Sequence, residues 1–314
     1  MRVATIRSEG RDGQLVVVAQ DGLHAAIAPV ATLQQAVEDW GQWAPRLAAI
    51  TDFPLRLEPQ SLCAPLPRAW QWLDGSAFPS HGELMDRAFG RAKATARGVL
   101  MYQGLSDHFL APRADAPFPD ESLGIDFEGE FAVVTDEVPM GTSASEAAKH
   151  ILLVVQVNDW SLRSLAREEI ATGFGFVQAK PACAMAPFAV TPDELGGDWK
   201  DCRAGLDLQV EVNGRWFGAP RGDAMAYGFD VLIAHAARTR RLPAGTIIGS
   251  GTVSNADHER VGSTCIAERR SIEIIAGGQP VTDYLRFGDV VGMQATTTTG
   301  YSPFGRLEQK VVPA

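Results

Sequence analysis

Cysteine, net positive charge and long apolar runs are all scarce in this chain, and each scarcity removes a class of protein. The four cysteines, Cys63, Cys183, Cys202 and Cys265, lie far apart, with no C-x-x-C pair and no histidine at zinc-like spacing. They are expected as buried apolar thiols rather than as a disulfide framework or a zinc site. Lysine and arginine number 28 against 38 acidic residues, a formal net charge of −10. No broad positive field is available for phosphate backbones or anionic lipid, so neither nucleic acid nor a membrane is an expected partner. No stretch reaches the roughly 18–20 apolar residues that span a bilayer. The opening Met1-Arg-Val-Ala-Thr-Ile-Arg-Ser-Glu-Gly lacks the apolar centre of a signal peptide. The expected setting is the cytoplasm.

What the chain does contain is an ordinary globular composition, 46% hydrophobic and 21% charged over 314 residues, enough for a main domain with a smaller appendage. Short Val-, Ile- and Leu-rich segments at 2–7, 13–19 and 23–28 read as strands around Gly10-Arg-Asp-Gly13 and Asp21-Gly22 turns. The spacing of Leu33, Val37, Trp40, Trp43 and Leu47 predicts a helix over 32–50, and the proline-rich segment 52–68 reads as a linker. The expected division is therefore a small N-terminal domain, 1–65, and a main domain, 66–314. In the latter, a helix is expected over 81–96, a long loop over 104–119 and a strand over 125–135. Further on come a helix opened by Ser143 with Glu146, a strand at 151–157, a hairpin at Asn213-Gly214 and a helix at 229–240. Strands are expected at 246–253, 271–275 and 290–295. The sum is an α+β, mainly β chain.

Three segments carry candidate chemistry. In Ile125-Asp-Phe-Glu-Gly-Glu-Phe-Ala-Val133, Asp126, Glu128 and Glu130 alternate with apolar residues. An uninterrupted strand projects all three carboxylates from one face, about 6.5–7 Å apart. Two readings fit: a solvated acidic stripe, or a set of oxygen ligands for Mg2+ or Ca2+. Asp159 ends the apolar run Val154-Val-Gln-Val-Asn158, where it either caps the following helix or adds a further ligand, and Arg163 is four residues beyond it. Asp74 and His81 bracket a short Gly/Pro loop, with His81 opening a helix whose dipole disfavours protonation of the ring. His81 is thus either ordinary surface or an available base.

Taken in order, Asp74…His81, Tyr102-Gln-Gly-Leu-Ser-Asp107, Asp126-Phe-Glu-Gly-Glu130, Asn158-Asp-Trp-Ser-Leu-Arg163, Gly173-Phe-Gly-Phe-Val-Gln-Ala-Lys180, Gly249-Ser-Gly-Thr-Val-Ser254 and Phe287-Gly-Asp289 resemble the fumarylacetoacetate hydrolase superfamily from about residue 70 onward. The resemblance implies a rolled mixed β-sheet core, a homodimer and a divalent cation, Mg2+ or Ca2+ with Mn2+ as an alternative. It implies Asp74, Glu128, Glu130 and Asp159 as metal ligands and His81 as the base that activates water, with Glu268 orienting it. Tyr102, Arg163, Lys180 and Thr252 are implied substrate contacts, Lys180 also being catalytic. The implied substrate is a small keto acid. The implied reaction is hydrolysis of a carbon–carbon bond in fumarylacetoacetate or an acylpyruvate, as in aromatic amino-acid breakdown. Relatives on the same platform act as decarboxylases, hydratases or isomerases, and a non-catalytic ligand-binding protein is a third reading. Two departures bear on the substrate. Ala166 stands where animal-type hydrolases have a polar contact, and Pro181-Ala-Cys-Ala184 lacks the threonine that follows their lysine.

Overall fold

The computed structural model describes residues 1–88 and 98–314. The chain opens with β1 (Arg2–Ile6), β2 (Gln14–Val18), β3 (His24–Ile27), α1 (Leu33–Glu38), α2 (Trp40–Ala48) and β4 (Leu55–Arg56). Next come β5 (Trp72–Gly75), α3 (Pro79–Ala88), β6 (Met101–Gly104), β7 (Ala116–Phe118), β8 (Ile125–Asp126), β9 (Gly129–Thr135), α4 (Ala144–Ala147), β10 (Ile151–Asn158), β11 (Ser161–Leu162) and α5 (Arg163–Thr172). The remainder is β12 (Ala184–Met185), β13 (Phe188–Val190), β14 (Trp199–Lys200), β15 (Arg203–Ala204), β16 (Asp207–Val212), β17 (Arg215–Gly218), α6 (Phe229–Ala236), β18 (Ile247–Gly249), α7 (His258–Val261), α8 (Ile266–Gly277), β19 (Val290–Thr296) and β20 (Leu307–Pro313).

Two mixed sheets form the body. The larger runs β4-β3-β2-β1-β13-β10-β9-β18-β5-β6, antiparallel except where β18 lies parallel to β5. The smaller runs β17-β16-β19-β20-β7, with β20 parallel to β7. The N-terminal strands are not a free-standing unit, because β1 pairs with β13 and continues the large sheet. The middle strands of that sheet are buried on both faces, which is why β9 and β10 read as nearly continuous apolar runs. Phe131 and Val133 join the core between the sheets, while Ala132 and Val134 join a second core with Val155, Trp72 and the helical residues Leu33 and Val37. Each fully buried valine, leucine or phenylalanine among them contributes about 1.5–3 kcal/mol, as an upper bound.

Several expectations are corrected. The segment 271–275 lies inside α8, not in a strand. Its alternating isoleucines are overridden by an N-cap at Cys265 and a left-handed stop at Gly278. The helix over 32–50 is broken at Asp39, whose φ of −137° and ψ of 55° are non-helical. The loop over 104–119 contains β7, whose partner β20 lies at the far end of the chain. Of the strand expected at 246–253, only Ile247–Gly249 forms. The portion of the helix over 81–96 beyond Ala88 lies outside the described residues. By contrast Ser143 accepts the Glu146 N–H as anticipated. Asn213 and Gly214, with φ of 52° and 70°, make the expected tight hairpin. Among the described residues no helix is long and apolar enough to cross a membrane.

Candidate active site

The acidic run does not form one strand. β8 ends at Asp126, Phe127 and Glu128 leave the ladder, and β9 begins at Gly129. The single carboxylate face expected for Asp126, Glu128 and Glu130 is therefore split three ways. Glu130 shares a face with Ala132 and Val134 by the two-residue repeat, and opposite it on β10 is Val157. Asp159 lies just past β10, and its N–H is held by the Glu128 carbonyl at 2.9 Å. Asp74 lies on β5 on the face of Trp72, across from Gly249 of β18. Gly249 is required there, since a Cβ would overlap both the Asp74 carboxylate and the Trp72 ring. Gly251, at φ 78°, then turns its N–H to Asp74 Oδ1 at 3.0 Å.

These registers bring Asp74, Glu130 and Asp159 together, each offering an oxygen within 4.8 Å of the others, and all are buried. Among the described residues no N–H, thiol or hydroxyl donor reaches either oxygen of Glu130, and the Asp74 carboxyl lies within hydrogen-bonding reach of it. Burial, then the charges of Asp74 and Asp159, pushes the Glu130 carboxyl well above the ordinary range. Asp74 is raised likewise, by burial and by Asp159.

Glu128 stands beside this trio rather than within it. Its Oε1 accepts from Lys180 Nζ at 3.0 Å and Ser161 at 3.0 Å and pairs with Arg163 Nη1 at 2.8 Å. Its Oε2 accepts from Thr252 at 2.8 Å. Burial works against its charge, but Lys180 and Arg163 outweigh it and hold the carboxyl well below the usual range. Lys180 joins the two groups, since its Nζ also donates to Asp159 Oδ2 at 2.5 Å. Burial opposes its charge too, yet Asp159 and Glu128 keep the ammonium well above the ordinary lysine range. Tyr102, opposite Asp74 on β6, donates to the same Asp159 oxygen at 2.6 Å. Its ring lies edge-on to Phe176 and 5.4 Å from Lys180 Nζ.

His81 is the third residue of α3, and its Nδ1 is 2.8 Å from Glu268 Oε2. Glu268 is fully buried in the first turn of α8. Of the expected substrate contacts, Thr252 and Arg163 are engaged within the protein, Arg163 through Asp126 and Glu128. Among the described residues Arg163 Nη2 has no hydrogen-bond partner.

The donor set fits a hard divalent cation. With all four ionised, Asp74, Glu128, Glu130 and Asp159 would carry four negative charges against two from Lys180 and Arg163, an excess that protons on Asp74 and Glu130 or a bound cation would relieve. The lone pairs of Glu130, which no N–H, thiol or hydroxyl donor of the described residues reaches, suit such a cation.

Sequence reasoning missed Cys183, whose thiol donates to Asp159 Oδ1 at 2.9 Å. It was expected as an apolar thiol, and burial followed by the Asp159 charge pushes it well above the usual cysteine range. Its position three residues after Lys180, where the segment departs from the hydrolase pattern, was the available signal. Ser161 was also missed.

Residues 71–312 match the fumarylacetoacetate (FAA) hydrolase C-terminal family, and residues 1–68 match fumarylacetoacetase N-terminal domain 2. The chain belongs to the fumarylacetoacetate hydrolase family. Within this family it is 27% identical over 238 residues to a fumarylacetoacetase of Caenorhabditis elegans, a match covering 65% of this chain and 56% of that protein. The chain spans less than two thirds of the length of the curated relatives it matches. Its fold is that of solved family members. A probable 2-hydroxyhepta-2,4-diene-1,7-dioate isomerase from Mycobacterium abscessus superposes with a TM-score of 0.69 at 20% identity, over 100% of this chain and 99% of that one. Maleylpyruvate hydrolase from Sphingobium sp. SYK-6, solved with manganese(II) and pyruvate, gives 0.64 at 17% identity, with both chains covered in full. The solved structures that share this fold thus carry both hydrolase and isomerase names.

Proposed function

We propose that this protein is a metal-dependent hydrolase that cleaves the carbon–carbon bond of a 1,3-diketone acid such as fumarylacetoacetate or an acylpyruvate. The observation that carries the reading is the buried trio Asp74, Glu130 and Asp159, with donor-free Glu130 oxygens, beside the Lys180 ammonium. All-oxygen donors suit Mg2+ or Ca2+, with Mn2+ an acceptable substitute. Two similar proteins add support, a fumarylacetoacetase and a maleylpyruvate hydrolase whose structure holds manganese(II) and pyruvate.

A divalent ion in the trio supplies a Lewis acid toward ketone oxygens. The remaining work belongs to the side chains. With Nδ1–H directed at Glu268, the His81 Nε2 lone pair takes a proton from water. The hydroxide adds to one ketone carbon. The bond from that carbon to the adjacent methylene then breaks, and its electron pair passes into the second ketone as an enolate. His81 returns the proton to the enolate carbon, so one water is consumed and a carboxylic acid and a methyl ketone leave. Lys180 offsets the enolate charge, the kind of preorganised cation commonly worth about 3–4 kcal/mol at a transition state. The alliance of His81 with a buried carboxylate favours hydrolysis over decarboxylation or isomerisation, which need no water-activating base.

A panel of fumarylacetoacetate and acylpyruvates, followed by loss of diketone absorbance in Mg2+, tests this. His81→Ala is expected to lower kcat by about 10²- to 10⁴-fold, and EDTA to abolish turnover. Untouched diketones alongside decarboxylated oxaloacetate would refute the hydrolase reading.

A further inference from the structure

Asp126 is a carboxylate of the acidic run that the proposed reaction does not use, and it is completely buried. Its Oδ1 accepts the Phe127 N–H at 2.8 Å and the Ile266 N–H at 2.7 Å. Its Oδ2 accepts the Ala267 N–H at 2.9 Å and Arg163 Nε at 2.7 Å. Ile266 and Ala267 are the first two residues of α8, and Glu268 is the third. Two of the otherwise orphaned N–H groups of this 12-residue helix therefore end on Asp126, and a third, that of Glu268, ends on Cys265 Sγ at 3.3 Å. From the same turn the Glu268 side chain reaches His81. On the other side, Arg163 spans from Asp126 to Glu128 Oε1 at 2.8 Å.

We infer that Asp126 is a positioning residue: it clamps the first turn of α8, and through Glu268 it sets where His81 stands relative to the carboxylate cluster. The inference rests on the proposed role of His81 as base. The charge and both oxygens matter. Asparagine keeps one acceptor but turns an NH2 toward donors on the other side, leaving a buried N–H or the guanidinium unpaired. Relief of that mismatch moves the α8 terminus, and Glu268 moves with it. A displacement of about 1 Å at reacting groups is enough to cost on the order of 10²-fold in rate.

The test is Asp126→Asn in the full chain, read in two ways. The first needs no substrate: the His81 Nδ1–H proton in the NMR spectrum, assigned by its absence in His81→Gln, is expected to shift or disappear in Asp126→Asn. The second is kinetic: kcat is expected to fall about 10- to 100-fold, as for other groups that orient a functional residue, while KM and the affinity for Mn2+ alone are retained. An unchanged histidine proton with unchanged kcat overturns the inference. So does a loss of Mn2+ affinity in step with kcat, which would put Asp126 in the cation site. Should wild type cleave no diketone acid, the functional reading fails while the histidine proton still decides the positioning role. Should Asp126→Asn fail to fold, Ile266→Pro removes one of the same hydrogen bonds at a helix position that tolerates proline, and both readings apply to it.

Discussion

Asp126 and Glu130 stand four residues apart in one acidic run, both fully buried, yet their surroundings are opposite. Asp126 receives four donors, three backbone N–H groups and a guanidinium. Glu130 receives no N–H, thiol or hydroxyl donor among the described residues and faces two further carboxylates. A buried carboxylate whose lone pairs are all engaged organises backbone and cannot also serve a ligand. One whose lone pairs are unengaged is costly until a cation compensates it. The difference separates the scaffold from the chemistry within a single short segment.

The largest effect that sharpens the contrast is expected on the Glu130 side, at Asp159→Asn. Asp159 belongs to the trio and also accepts from Tyr102, Lys180 and Cys183. Activity toward an acylpyruvate should fall roughly 10³-fold or more, equivalent to about 4 kcal/mol at the transition state, measured as kcat/KM at saturating Mg2+.

A smaller effect is expected in stability against pH. Asp74 has a folded-state pKa raised by burial and by the Asp159 charge, and Glu130 one raised by burial and by the charges of Asp74 and Asp159. In metal-free protein their contribution is therefore complete below the ordinary carboxylate pKa and is lost as pH rises through the raised values, by up to about 1.4 kcal/mol per pH unit per group. Glu128, whose pKa is depressed, acts oppositely: its contribution is present above the ordinary value and is lost as pH falls through the depressed one. Denaturation in EDTA should show stability declining from about pH 5 upward, with Glu130→Gln flattening the decline; equal slopes in the two proteins would contradict the assignment. The smallest effect belongs to Cys183→Ala. Loss of one weak S–H donor to Asp159 should change kcat less than about 10-fold, and Cys183→Ser should restore most of it.

Much of this contrast was hidden in the sequence. The two-residue alternation correctly marked Glu130 and the apolar positions of β9, but it also placed Asp126 on the same face. That fails because the ladder breaks at Phe127 and Glu128, where Asp126 turns to a helix end some 140 residues later in the chain. Local pattern also gave the N-terminal strands and the Asn213-Gly214 hairpin. It could not give the pairing of β1 with β13 or β7 with β20, since such partners are set by tertiary packing rather than by neighbours. The Ser271–Ile275 stretch shows the converse, where strand-like alternation yields to helix caps at both ends. Asp74, Glu130 and Asp159 were each proposed from motifs, but their convergence is a property of strand register alone.

On this reading the trio Asp74, Glu130 and Asp159 holds one divalent cation, with Glu130 indispensable to it, and Asp126 does not. Titration of the metal-free protein with Mn2+, followed by electron paramagnetic resonance, tests it directly. One tightly held ion per chain is expected in wild type and in Asp126→Asn, and its loss in Glu130→Gln. Undiminished binding in Glu130→Gln, or binding abolished by Asp126→Asn with Glu130 intact, would contradict it.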